Sequence, residues 1–98
     1  MATSKVFKDF ILEQLNLLED IRCRSMMGGY LLYYKDVLFG GLYGERFLVK
    51  KGLHNAKYNL VEAIPYEGAK HMYLIDQFDD KAWIKSIIVD TYQGLIKG

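Results

Sequence analysis

From Ser4 to about Leu18, Phe7, Phe10, Ile11, Leu15 and Leu18 recur at helical spacing, while Lys5, Lys8, Asp9, Glu13 and Gln14 take the other side. Thr3 or Ser4 can cap the start of this helix, because either hydroxyl can accept from an otherwise orphan backbone N–H. The period then changes to two. Ile21, Cys23 and Ser25 alternate with Arg22, Arg24 and Met26, which predicts a half-exposed strand that Gly28-Gly29 breaks. Tyr30 to Tyr34 and Val37 to Tyr43 are dense β-type runs joined across Lys35-Asp36, a hairpin spacing, and Arg46 to Lys50 can return as a further antiparallel strand.

Leu53, Ala56 and Leu60 suggest a short helix over 53–61 despite Gly52 and two asparagines. Pro65 and Gly68 bracket a turn-rich segment, after which Met72 to Ile75 reads as a fifth strand. Asp79 or Asp80 can cap a final helix that buries Ile84, Ile87, Ile88, Thr91 and Leu95, with Trp83 and Tyr92 alongside. The order α, βββ(β), α, β, α predicts an α+β domain, a mainly antiparallel sheet of about five strands with helices on one face.

The chain has 98 residues, 51% of them hydrophobic, and a net charge of +1. Area scaling gives a folded surface of roughly 5,800 Å² against about 16,500 Å² extended, enough burial for one core without disulfides or metal. One proline and no fixed-period repeat leave nothing to mark a linker, so residues 1–98 read as a single domain. No apolar run approaches the roughly 20 residues that cross a bilayer, and Lys5, Lys8 and Asp9 interrupt any secretory apolar segment. With Cys23 as the single cysteine, the expectation is a cytoplasmic protein without membrane attachment.

Catalytic chemistry finds little to work with. The two histidines, His54 and His71, read as solvent-facing, and no nucleophile and base are visibly paired. Cys23 sits between Arg22 and Arg24, but neighbours on a strand point to opposite faces, so a small buried apolar role is the expectation. Cys23, His54 and His71 show no paired metal-ligand spacing, and neither glycine pair fits a phosphate-loop pattern. Gly28-Gly29 reads as a turn, and Gly40-Gly41 as a bulge or a place where a helix packs closely on the sheet. No catalytic residue, metal site or cofactor is therefore assigned.

The stronger signal is basic and aromatic. Arg22, Arg24, Arg46, Lys50 and Lys51 lie on or beside strands that also carry Tyr30, Tyr33, Tyr34 and Tyr43, together with Phe39 and Phe47. Such a sheet can anchor a protein through tyrosines, or stack bases and pair phosphates. Near-neutral net charge makes direct nucleic-acid binding the second choice. A third reading is a small-ligand protein or enzyme around Tyr66, Lys70 and His71, which are close in sequence.

Arg24-Ser25-Met26-Met27-Gly28-Gly29-Tyr30, then Phe39-Gly40-Gly41-Leu42-Tyr43, Arg46-Phe47-Leu48-Val49-Lys50 and Pro65-Tyr66-Glu67-Gly68-Ala69-Lys70-His71-Met72 give the chain a likeness. It resembles the N-terminal domain of the TfoX/Sxy competence regulators, particularly the stand-alone bacterial versions. The resemblance implies a small α+β fold of secretion-chaperone-like outline and a regulatory role through a transcription regulator, with no catalytic residues to carry over. The family's C-terminal helical domain has no counterpart in these 98 residues, so competence control is not carried over with the rest. Arg24, Met27, Gly28 and Tyr30 match the first motif, and Pro65, Tyr66, Gly68, Lys70 and Met72 the second. Physically these read as structural: glycines at special backbone angles, Pro65 fixing a turn, Met27 and Met72 filling core. The function expected is a non-enzymatic interaction module with a protein partner, with self-association into a homodimer through the same surface as a further expectation.

Overall fold

The computed structural model describes residues 2–97 and has the α+β architecture expected. Helix α1 (Lys5–Gln14) begins where Ser4 Oγ accepts the Phe7 N–H at 3.1 Å, which satisfies one donor the first turn leaves free. Six strands follow: β1 (Ile21–Met26), β2 (Gly29–Tyr34), β3 (Val37–Leu42), β4 (Phe47–Val49), β5 (Glu62–Ala63) and β6 (Met72–Ile75). Helix α2 (Lys81–Lys97) closes the fold, with Asp80 Oδ1 accepting the Trp83 N–H at 3.0 Å. The strands form one antiparallel sheet in the order β1-β2-β3-β4-β6-β5.

The β2–β3 hairpin turns on Lys35 and Asp36, at φ +50° and +65°, the backbone sense that matches strand twist in a two-residue loop. Along this hairpin Leu32 pairs with Gly40 but Tyr33 with Leu38, so Phe39 is the extra residue of a bulge. The bulge sends Phe39 into the core, and glycine is required beside it. A Cβ on Gly40 would lie 2.2 Å from the Leu48 carbonyl oxygen of β4, so the close approach predicted there is made by a strand rather than a helix.

Ile11, Leu15 and Leu18 from the α1 segment and Ile84, Ile87 and Ile88 from α2 meet Leu32, Phe39, Leu42, Phe47, Val49 and Ile75 in one core cluster. Both helices therefore cover the same face of the sheet. The accessible surface, 6039 Å², agrees with the area expected from chain length.

Four expectations are corrected. The helix read over 53–61 is a single 3₁₀ turn, η1 (Ala56–Tyr58), because the Asn55 side chain bonds the preceding loop and Asn59 ends the turn at φ +55°. After it comes the two-residue strand β5, too short to show a period, so the sheet has six strands. Met27 does not fill core: it sits at φ +48° in the β1–β2 turn and is 97% exposed, whereas Met72 is buried as expected. Cys23 is half-buried rather than buried.

Candidate interaction surface

Strand alternation defines the second face of the sheet. Since Leu32, Val49, Phe47, Tyr73 and Ile75 pack toward the helices, their neighbours Leu31, Tyr33, Leu48, Met72 and Leu74 point the other way. The β1 residues paired with Leu31 and Tyr33 are Arg24 and Arg22, so both guanidinium groups belong to this face. Neither α-helix lies on it. Leu31, Tyr33, Leu38 and Leu74 keep part of their surface open, while Leu48 is fully covered.

A loop, residues 64–69, arches across one end of the face. Arg46 holds that arch: Nη1 donates to the Ile64 carbonyl at 2.9 Å, Nη2 to the Pro65 carbonyl at 3.1 Å and Nε to the Tyr43 carbonyl at 3.4 Å. The turn Tyr66 to Ala69 is closed by the Ala69 N–H on the Tyr66 carbonyl, with Gly68 at φ +85°. The Tyr66 ring lies against Tyr43 at 6.4 Å between centroids, and Tyr43 in turn covers Gly41, where a Cβ would fall 3.0 Å from the phenol oxygen. Burial, then the neighbouring Tyr66, pushes the Tyr43 phenol up from its ordinary value.

Two hollows flank the arch. One, of about 760 Å³, has Leu38, Tyr43, Pro65 and Met72 among its walls, with Lys50, Lys51, Lys70 and His71 also lining it. Glu62 stands beside this basic rim, accepting from Lys51 Nζ at 2.8 Å and lying 3.1 Å from His71 Nδ1. The Lys51 bond, then the His71 contact, holds the Glu62 carboxyl below its usual range, and the same bond raises Lys51. The other hollow, of about 450 Å³, is lined by Met26, Met27, Gly29, Tyr43, Gly44, Pro65 and Tyr66. It is where the two motif segments, the β1–β2 turn and the Pro65 loop, meet in space.

The residues singled out from sequence divide between the two faces. Tyr33 and Tyr43 belong to the open face. Tyr30 lies under Lys8, 5.5 Å from its ring centroid, and Tyr34 meets Tyr92 edge-on at 5.1 Å, so both serve the helix side. The four tyrosines thus do not form one anchor. Arg22 and Arg24 project side by side from the exposed edge strand, and Arg22 makes only a loose pair with Asp36 at 3.7 Å. Arg46 spends its guanidinium on carbonyls within the chain, and Lys51 is paired with Glu62. Lys50 is left on the groove wall, and Tyr66, Lys70 and His71 do line one groove as their closeness in sequence suggested.

Leu31, Leu38 and Leu74 were missed as surface residues, because each also fits a buried strand. Only the placement of both helices on one face exposes them. Cys23 carries no nucleophilic advantage: burial pushes its thiol up, against a smaller opposing effect of Lys8. Among the described residues no cluster of three His, Cys, Asp or Glu could hold a metal, and no helix is long and apolar enough to cross a membrane.

No family model matches this chain, and no curated protein matches it. The likeness to the competence regulators rests on the motif residues alone.

Proposed function

We propose that this chain is a non-enzymatic interaction module that holds a protein partner against the open face of its sheet. The observation that carries the reading is the set Leu31, Tyr33, Leu38 and Leu74: apolar or aromatic side chains, partly accessible, on the face that neither helix covers. Partly open apolar side chains on an uncovered sheet face, rimmed by charge, are characteristic of protein contact sites. The motif resemblance adds a regulatory setting in the cytoplasm, with a transcription regulator as the partner. Nucleic-acid binding has less support, because Arg46 and Lys51 are engaged within the chain and the cations expected to meet phosphate reduce to Arg22, Arg24 and Lys50.

The test is affinity purification of the tagged chain from its cell of origin, with and without nuclease, beside a Leu38→Glu variant. A protein that stays bound after nuclease and is lost with Leu38→Glu supports the reading. Retention of that protein by Leu38→Glu, or loss of every partner on nuclease treatment, overturns it.

A further inference from the structure

The sheet ends at β1, and among the described residues nothing pairs with the outward hydrogen-bonding groups of its backbone. The Lys35 N–H donates to the Asp20 carbonyl, in the same register that pairs Arg22 with Tyr33 and Arg24 with Leu31. Bonded pairs alternate along an antiparallel ladder, so Arg22 and Arg24 bond inward to β2. The N–H and C=O groups of Ile21, Cys23 and Ser25 consequently face outward. The strand is six residues long, and Arg22, Arg24, Ser25 and Met26 are all exposed. An unpaired edge of that length is a template for another strand unless its side chains forbid it.

Its side chains disfavour a second copy of the same edge in the registers centred on the arginine pair. About a two-fold axis normal to the sheet, strands would pair with faces matched. Registers centred on Arg22, on Cys23 or on Arg24 each set two arginines directly opposite one another. Like charges in that position are destabilising, and opposite charges are favourable.

We infer that the β1 edge receives an acidic extended segment of a partner protein as a seventh strand, its carboxylates meeting Arg22 and Arg24. Arg22, Arg24 and Met26 share the open face by alternation, and Met26 forms part of the hollow with Tyr43 and Tyr66. The segment therefore carries two acidic residues and one apolar residue at alternate positions, the apolar one entering that hollow. Main-chain hydrogen bonds hold such a strand and alternate side chains select it. The loose Arg22–Asp36 pair, with both side chains more than three-quarters exposed, gives way at little cost. The inference rests on the interaction-module reading and names the chemistry of its partner.

The test uses the full chain and synthetic peptides with a Leu-Thr-Glu-Thr-Glu core, or the same core with lysine in place of glutamate. Affinity is read by fluorescence anisotropy, and position by backbone amide shifts. The acidic peptide should bind, shift the Cys23 and Ser25 amides, and exceed the basic peptide by at least about tenfold, the size of two cross-strand ion pairs. In Arg22→Glu/Arg24→Glu the preference should reverse. Ser25→Pro removes an outward N–H, which an edge strand tolerates, and should abolish binding while the amide spectrum stays dispersed. Equal or absent binding of the two peptides, no reversal in the charge-swapped variant, or capture of a single-stranded oligonucleotide instead overturns the inference. Leu38→Glu separates the two proposals. A partner lost with Leu38→Glu but untouched by the β1 variants leaves the open-face reading standing and removes the edge; a partner untouched by Leu38→Glu removes the open-face reading.

Discussion

The Tyr58 hydroxyl donates to Asp90 Oδ2 at 2.5 Å, tying the 3₁₀ turn between β4 and β5 to the middle of α2. Burial first, then the Asp90 carboxylate, raises the Tyr58 phenol to about 12. Asp90 is pulled both ways: burial raises it, but the bonds from Tyr58 and Lys57 outweigh that and hold it below its ordinary 3.8.

Stability should therefore fall at both ends of the pH range. The folded chain holds the Tyr58 proton more tightly than the unfolded chain, so this contribution is complete below pH about 10 and is lost as the pH climbs toward 12. The Asp90 contribution has the opposite sign, present above its ordinary value and lost as the pH falls through the lower folded one. Denaturant unfolding across pH should show a loss above pH about 10 that Tyr58→Phe lacks. At neutral pH that variant should cost about 1 kcal/mol, a part-exposed hydrogen bond to a charged group.

Asn55 is the buried polar knot of the same region. Its Oδ1 accepts the Gly52 N–H at 2.9 Å, and its Nδ2 donates to the Lys50 carbonyl at 2.8 Å and to Thr91 Oγ1 at 2.9 Å. Asn55→Ala should destabilise the chain by about 2–3 kcal/mol, because it strands buried partners. Asn55→Asp should be no better, since a carboxylate cannot donate to the Lys50 carbonyl. Thermal unfolding of the two variants checks the ranking.

Glycine substitutions should separate three physical situations. Gly40→Ala would place a Cβ 2.2 Å from the Leu48 oxygen, and should prevent β3 and β4 from pairing. At Gly68 the space is open but φ is +85°, so alanine should cost about 1 kcal/mol from backbone strain alone. Gly52 has open space and no positive φ, so Gly52→Ala should be neutral or stabilise by up to about 1 kcal/mol through the unfolded chain. Soluble yield and melting temperature should rank Gly52→Ala above Gly68→Ala, with Gly40→Ala far below both.

Arg46→Lys keeps the charge and loses the fork. A lysine cannot span the Tyr43, Ile64 and Pro65 carbonyls together, so the arch should open while the helix-side core stays intact. Amide exchange over residues 66–72 should accelerate, with smaller changes in α1 and α2. Equal exchange across the chain would mean that the arch is held by something else.

Much of the fold was legible because long elements repeat their signal. The Ile84, Ile87, Ile88 and Thr91 stripe gave α2, and the dense β-type runs on either side of Lys35-Asp36 gave the hairpin with its turn. The short elements were not legible. Two-residue β5 has no period to read, and Leu53, Ala56 and Leu60 imitate a helix that the Asn55 side chain prevents. The candidate surface was legible in its charges but not in its apolar floor. Arg22 and Arg24 were visible as a pair on one face, whereas Leu31, Leu38 and Leu74 looked like any buried strand residue.

Sequence by itself determined the α+β class, the antiparallel hairpin, the helix caps to within one residue, and the shared face of the β1 arginines. Those are local properties, set by periodicity and by a few neighbouring groups. Only the tertiary structure decided that both helices cover one face, that Tyr30 and Tyr34 go with them, that Arg46 is consumed by the arch, and that β1 is an edge. The reason is that a strand's pattern says which residues share a side, while the partner on each side comes from residues far away along the chain.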